Sequence, residues 1–359
     1  NIPGQVVWEL TLKCNLHCIH CGSTAGTPRP NELSTKEALK LCKDLAELNS
    51  QEICLMGGEP FLRKDWVQLG REIKNYGMKL LFISNGYAIT QHIISQLKRL
   101  QPYAVATSLD GGTATTHDHI RGTSGSFKKV MDFLALCKSA NLPTTVITTV
   151  NKLNINELPG IKNIIQGQQI AWQIQVATPT GRFPRRFALN KEEYYAVALF
   201  IASLQKKYSR KELPVIGAHC FGYHSLFLPD LGLSSTWQGC PAGTSILSVK
   251  SNGDVIGCLA MPAVYNEGNI RTRSIIDIWN SPDSFAYNKQ FSHEALGENC
   301  RSCRYGDSCK GGCMGMSTAF TGQPHNTPYC FNKIEQELPI KTKEEAEPHE
   351  TDDVTTKTT

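Results

Sequence analysis

No apolar run in this chain reaches the roughly eighteen residues that a membrane-crossing helix requires, so no transmembrane span and no membrane partner are expected. A signal-peptide pattern is also missing. So is a strong charge of one sign. Lys and Arg number 37 against 32 Asp and Glu, a net charge of +5, and this mild excess makes no case for nucleic acid. No repeat of solenoid type is present. The chain does not start with Met but with Asn1, and it enters an apolar run almost at once. An N-terminal extension is therefore expected to precede it.

Cysteine, by contrast, is plentiful, with 14 residues. They crowd into two groups. Between Cys21 and Cys220 only Cys42, Cys54 and Cys137 occur. Close grouping without a secretory signal reads as metal or cluster ligation in a reducing, cytoplasmic compartment rather than as disulfides. Cys42 shares an apolar helix face with Ala38, Leu41 and Leu45. Cys137 does the same with Val130, Phe133 and Leu134, and Cys54 falls in a short apolar strand. These three read as small core residues.

A hydrophobic content of 40% over 359 residues allows a large core. Strand candidates Val6–Leu12, Ile53–Met56, Lys79–Ser84, Ala104–Leu109, Thr144–Val150 and Ala171–Ala177 alternate with helical segments. The first helix opens on the capping box Ser34-x-x-Glu37. Six strand–helix units in order predict an α/β fold with a parallel sheet, too few units for a closed eight-strand barrel. The pattern stops near Ser209. Short segments rich in Gly, Pro and Cys follow, as in a small domain held by metal. The expected division is a partial barrel at 1–210, a cysteine-rich domain at 211–338, and a disordered tail at 339–359.

Cys14, Cys18 and Cys21 form C-x3-C-x2-C just past the first strand. Zinc usually takes four ligands, and only His17 and His20 lie near enough in sequence to supply one. Three thiolates on a four-iron cluster leave one iron open. Further signals come in order: Gly57-Gly58-Glu59-Pro60 after the second strand, Ser84-Asn85-Gly86 after the third, Ser108-Leu109-Asp110-Gly111 after the fourth, then His117-Asp118-x-Ile120-Arg121-Gly122. All fall at the strand ends where parallel sheets bind ligands. A second pattern runs Cys240, Gly253, Cys258, then Cys300-x2-Cys303-x5-Cys309-x3-Cys313, and finally Cys330.

These motifs resemble the radical SAM enzymes that carry a C-terminal SPASM domain. The resemblance covers Val6 to Cys330 and implies a partial (β/α)6 barrel followed by a small cysteine-rich domain. It implies that Cys14, Cys18 and Cys21 hold a [4Fe-4S] cluster whose open iron chelates S-adenosylmethionine. Reductive cleavage then yields a 5′-deoxyadenosyl radical. Gly57, Gly58, Glu59 and Pro60 would contact the methionine amino group. Ser84, Asn85, Ser108 and Asp110 would line the cofactor pocket, Arg121 would pair with the methionine carboxylate, and His20 would stand near adenine. Two further [4Fe-4S] clusters are implied, one on Cys300, Cys303, Cys309 and Cys330, the other on Cys240, Cys258 and Cys313. The latter lacks one ligand. Cys220 either completes it or is a free thiol that donates a hydrogen atom.

The resemblance also implies an oxidoreductase with a peptide or protein substrate and an electron donor such as flavodoxin or ferredoxin. The expected reaction is hydrogen abstraction leading to a thioether or carbon–carbon crosslink or to epimerisation, as in maturases of ribosomal peptides. The alternative is maturation of a small-molecule cofactor or tetrapyrrole. Arg182, Arg185 and Arg186 follow the sixth strand and are either a grip for acidic peptides or a solvated loop. Gln173 and Gln175 alternate with Trp172 and Ile174, so one pair faces the barrel interior.

Overall fold

The computed structural model describes residues 2–221, 224–228, 231–232 and 237–337. The expected tail at 339–359 lies outside them. Seven parallel strands are ordered as in the chain: β1 (Gln5–Thr11), β2 (Glu52–Gly57), β3 (Lys79–Ser84), β4 (Ala104–Ser108), β5 (Thr144–Val150), β6 (Ala171–Val176) and β7 (Val215–Gly217). Seven helices connect them: α1 (Thr35–Glu47), α2 (Trp66–Asn75), α3 (Gln91–Leu100), α4 (Ala114–Arg121), α5 (Ser126–Ser139), α6 (Leu158–Ile165) and α7 (Lys191–Lys207). The capping box at Ser34 forms with both of its hydrogen bonds and sets the start of α1.

The sheet extends further than six units. Beyond β7, three short strands follow from the cysteine-rich region: β8 (Ile246–Val249), β9 (Asp254–Ile256) and β10 (Asn266–Asn269). The full order is β10-β9-β8-β1-β2-β3-β4-β5-β6-β7, with β8 parallel to β1. The sheet does not close, so β7 and β10 are its two edges. One sheet therefore spans both predicted regions.

Alternation along the strands divides the molecule. Val6, Trp8 and Leu10 of β1 pack outward on the helices, in a core with Leu41, Cys42 and Leu45 of α1 and with Ile275 and Ile278 of α8 (Ile275–Asn280). A second core joins Trp172 and Ile174 of β6 to Tyr194, Val197 and Ile201 of α7 and reaches Phe331 and Ile334 near the C-terminal end of the described chain. Cys42, Cys54 and Cys137 are buried, and burial pushes each thiol up to about 12. They are packing residues.

Candidate active site

After β1 the chain makes a loop from Cys14 to Gly26. Its base is tied by Cys14 N–H to Gly26 O (2.9 Å) and Gly26 N–H to Leu12 O (3.0 Å). Within it, Cys21 N–H turns back to Cys18 O at 3.3 Å. The three sulfurs each receive an N–H donor. Asn85 Nδ2 reaches Cys14 Sγ at 3.7 Å, Arg121 Nη1 reaches Cys18 Sγ at 3.6 Å, and Ala25 N–H reaches Cys21 Sγ at 3.3 Å. Donors from three separate elements thus converge on sulfur. Burial raises the Cys14 thiol, and nearby Cys18, Glu59 and Cys21 add to this, which marks the thiols as close neighbours. Soft sulfur donors of this kind suit iron–sulfur chemistry rather than a hard cation. Among the described residues, no three Cys, His, Asp or Glu groups converge tightly enough for a single metal ion.

The glycines beside the loop are demanded by close approach. Gly57 has φ +150°, and a Cβ there would stand 2.3 Å from Thr11 O. A Cβ on Gly58 would stand 2.3 Å from Lys13 O. Glu59, at the rim of β2, is buried and accepts from Ser84 Oγ (3.0 and 3.1 Å), Asn85 N–H (2.8 Å) and Phe61 N–H (3.3 Å). Burial pushes its carboxyl up to about 7 despite these donors. Pro60 opens a single 3-10 turn behind it. Cys14, Glu59, Ser84 and Asn85 thus form one network, which Asn15 joins through its side-chain oxygen, accepting from Asn85 Nδ2 at 2.8 Å.

A second network centres on Asp110, just past β4. Its carboxylate contacts Arg121 Nη2 at 2.6 Å and His20 Nε2 at 3.2 Å, and it accepts from Thr149 N–H at 2.8 Å. Burial opposes ionisation of Asp110, but Arg121 and His20 outweigh it and hold the carboxyl well below its usual range. His117 accepts from Asp110 N–H at 3.1 Å, and burial lowers its pKa to about 4. The structure thus brings Asp110, Arg121 and His20 together beneath Cys18. Ser108 ends β4 beside them, its side chain half-buried. His20 Nδ1 and Arg121 Nε are buried without a hydrogen-bond partner. Such polar atoms at the rim of a parallel sheet are where a polar ligand would bond.

Two residues of the fourth motif serve the loop geometry instead. Asp118 accepts from Gly125 N–H, Phe127 N–H and Ser126 Oγ and so starts α5. Gly122, with φ +65°, ends α4, and a Cβ there would stand 2.5 Å from His17 O.

The remaining cysteines gather in two sets. Cys240 and Cys313 share a hydrogen bond that raises the former and lowers the latter, and Cys258 and Cys220 both feel Cys313. Cys300 and Cys309 each feel Cys330, which in turn feels Cys303. Cys220 also accepts from Val176 N–H at 3.4 Å, which ties this set to the end of β6.

Two of the three arginines after β6 are engaged with main-chain carbonyls. Arg182 bonds to carbonyls of the cysteine loop, and Arg185 donates to Phe320 O at 3.2 Å and lies over that ring. Arg186 lies over Phe187. Sequence reading missed Asn15, Thr149 and this use of Arg182. The Gly181-Arg182 pair, a left-handed glycine before a long donor, was the available signal. Gln173 and Gln175 are half-buried while Trp172 and Ile174 are buried against α7, so the glutamines face the interior.

The Radical SAM superfamily model matches residues 8–164, and the SPASM iron–sulfur cluster-binding domain matches residues 240–304. An AdoMet-dependent heme synthase of Methanosarcina barkeri is 28% identical over 92% of this chain and 97% of its own length. A mycofactocin maturase, MftC of Mycobacterium ulcerans, is 29% identical over 91% of this chain and 86% of its own. The fold of Streptococcus suis SuiB, solved with S-adenosylmethionine, superposes with a TM-score of 0.73 at 16% identity, covering 93% of this chain and 77% of SuiB. The open parallel sheet with its three-cysteine loop and the thiol sets behind it thus belong to a radical SAM enzyme with a C-terminal SPASM domain, one whose cofactors are S-adenosylmethionine and iron–sulfur clusters.

Proposed function

We propose that this enzyme abstracts a hydrogen atom from a peptide and so drives an oxidative crosslink or an epimerisation. Cys14, Cys18 and Cys21 would hold the cluster that binds S-adenosylmethionine, with Glu59 facing its amino group and Arg121 its carboxylate. The cluster and its ligand, when bound, supply a 5′-deoxyadenosyl radical. Ser84 and Asn85 orient Glu59, Asp110 orients Arg121, and the buried rim excludes water from all of them. Cys300, Cys303, Cys309 and Cys330 would hold one auxiliary [4Fe-4S] cluster, and Cys240, Cys258, Cys313 and Cys220 the other. The proximity of Cys220 to Cys313 supports its place in that set.

The observation that carries the peptide reading is the wall of β6 next to the edge strand β7. It presents Gln173 and Gln175, the latter bonded to Thr149 Oγ1 at 2.9 Å. Amide side chains donate and accept, as a peptide backbone does. A tetrapyrrole with carboxylate arms would call for free guanidinium N–H groups, and Arg182 and Arg185 nearby spend N–H groups on main-chain carbonyls, which occupies donors though it leaves their charge in place. The second reading, tetrapyrrole maturation, is favoured by the end-to-end alignment with the heme synthase.

The test is anaerobic incubation of the reconstituted enzyme, S-adenosylmethionine and a strong reductant with short peptides encoded beside its gene, and separately with iron-coproporphyrin. Three clusters correspond to about twelve iron per chain. A peptide that loses two hydrogens, or takes up deuterium from solvent without other mass change, supports the first reading. Turnover of the porphyrin with every peptide unaltered supports the second. Stoichiometric zinc in place of iron would overturn both.

A further inference from the structure

We propose that Arg182 is a positioning residue for the cysteine loop and that its charge raises the reduction potential of the cluster held there. The inference rests on the reading of Cys14, Cys18 and Cys21 as cluster ligands and is independent of the substrate.

The loop has little regular structure of its own between Cys14 and Gly26. Its far side is instead bound to the β6–α7 connection. Arg182 N–H donates to Cys21 O at 3.0 Å, Nε to Cys18 O at 3.2 Å, and Nη1 to Ala25 O at 2.7 Å. One residue thus ties down three carbonyls of the loop, those of Cys18, Cys21 and Ala25. Gly181 makes the approach feasible. It has φ +58°, and a Cβ there would lie 2.4 Å from both Cys21 O and Gly22 O. The fit is reciprocal, because a Cβ on Gly22 would meet Thr180 Oγ1 at 3.1 Å.

The residue type matters. A guanidinium offers five N–H groups in a planar fork, so it can serve two carbonyls at once, whereas an ammonium is a point charge on a flexible stem. Carbonyls are neutral partners, and among the described residues no carboxylate pairs with Arg182. Arg121 differs, because Asp110 offsets its charge. Arg182 therefore leaves a net positive charge against the loop that carries Cys14, Cys18 and Cys21. A reduced cluster carries one more negative charge than an oxidised one, so this charge favours reduction. The same contacts join the strand that carries Gln173 and Gln175 to the loop that carries the cysteines.

The experiment uses the full chain with Arg182→Gln and Arg182→Lys. Two quantities are read: the midpoint potential of the S-adenosylmethionine-perturbed cluster signal by spin resonance, and amide hydrogen exchange of residues 18–26 in the metal-free chain. Arg182→Gln should lower the potential and speed exchange about tenfold as charged hydrogen bonds are lost, with auxiliary signals unchanged. Arg182→Lys should keep the potential and still speed exchange, and it carries the test if the glutamine variant does not accumulate. Either quantity staying at the wild-type value in Arg182→Gln overturns the proposal. Absence of iron at the three cysteines in the unmutated chain would instead overturn the reading beneath it.

Discussion

Glu59 holds its carboxyl at about 7 because it is buried, against an ordinary value of 4.5. Between those values the folded metal-free chain keeps a proton that the unfolded chain has released. The stabilising contribution is therefore complete below pH 4.5 and fades as pH rises through 7. Denaturation of the metal-free chain at stepped pH should show this loss, and Glu59→Gln should remove it; parallel profiles for the two proteins would refute the assignment. Cys220 offers a second test. Cys220→Ala should alter the auxiliary-cluster spectrum and leave the S-adenosylmethionine-cluster signal intact. Unaltered spectra with loss of an epimerised product would instead make it the hydrogen donor. At this scale the sequence showed which residues matter better than which partners they take. The spacing of Cys14, Cys18 and Cys21 is local and legible. That Arg182 bonds to Cys18 O is not, because the two are 164 positions apart.

Among elements, the cysteine loop and the strand rims around it form a close-fitting unit. Gly58 is its tightest point. Gly58→Ala would drive a methyl into Lys13 O and Leu12 O, from which its Cβ would stand 2.3 and 2.6 Å. The clash should cost about 1–3 kcal/mol. It should also displace the loop, so that the reconstituted protein loses about a third of its iron, the share of one cluster among the three proposed. Iron analysis with retained auxiliary spectra would verify this; full iron content would count against it. Long elements were legible in the sequence. β3 and β5 begin and end where the strand pattern places them. α4 was missed because Ala114–Arg121 is mostly polar and has only a few inward residues. β7, β8, β9 and β10 have three or four residues each, too short for alternation to register.

Across the whole molecule, one buried carboxylate joins the two regions. Glu9 on β1 pairs with Arg29 in two contacts of 2.6 and 3.0 Å and accepts from Ser251 N–H at 3.1 Å and Ser251 Oγ at 2.9 Å. Ser251 lies in the turn between β8 and β9. Glu9→Ala should leave these donors unpaired and cost about 3 kcal/mol. Thermal unfolding of the metal-free chain should show the loss, and a melting temperature at the wild-type value would count against the link. Composition indicated two regions and gave no hint of a shared sheet, because pairing between strands is invisible to local pattern.

That pairing also sets an order in time. β1 leaves the ribosome well before β8, its neighbour on one side, which is about 240 residues further along the chain. At translation speeds of about 5–20 residues per second, β1 waits on the order of ten seconds or more for that partner. During this interval its backbone N–H and C=O groups on one side stay open, beside the three unligated thiols that follow it. A chain whose synthesis stalls before residue 246 therefore holds a bare strand edge and three thiols side by side.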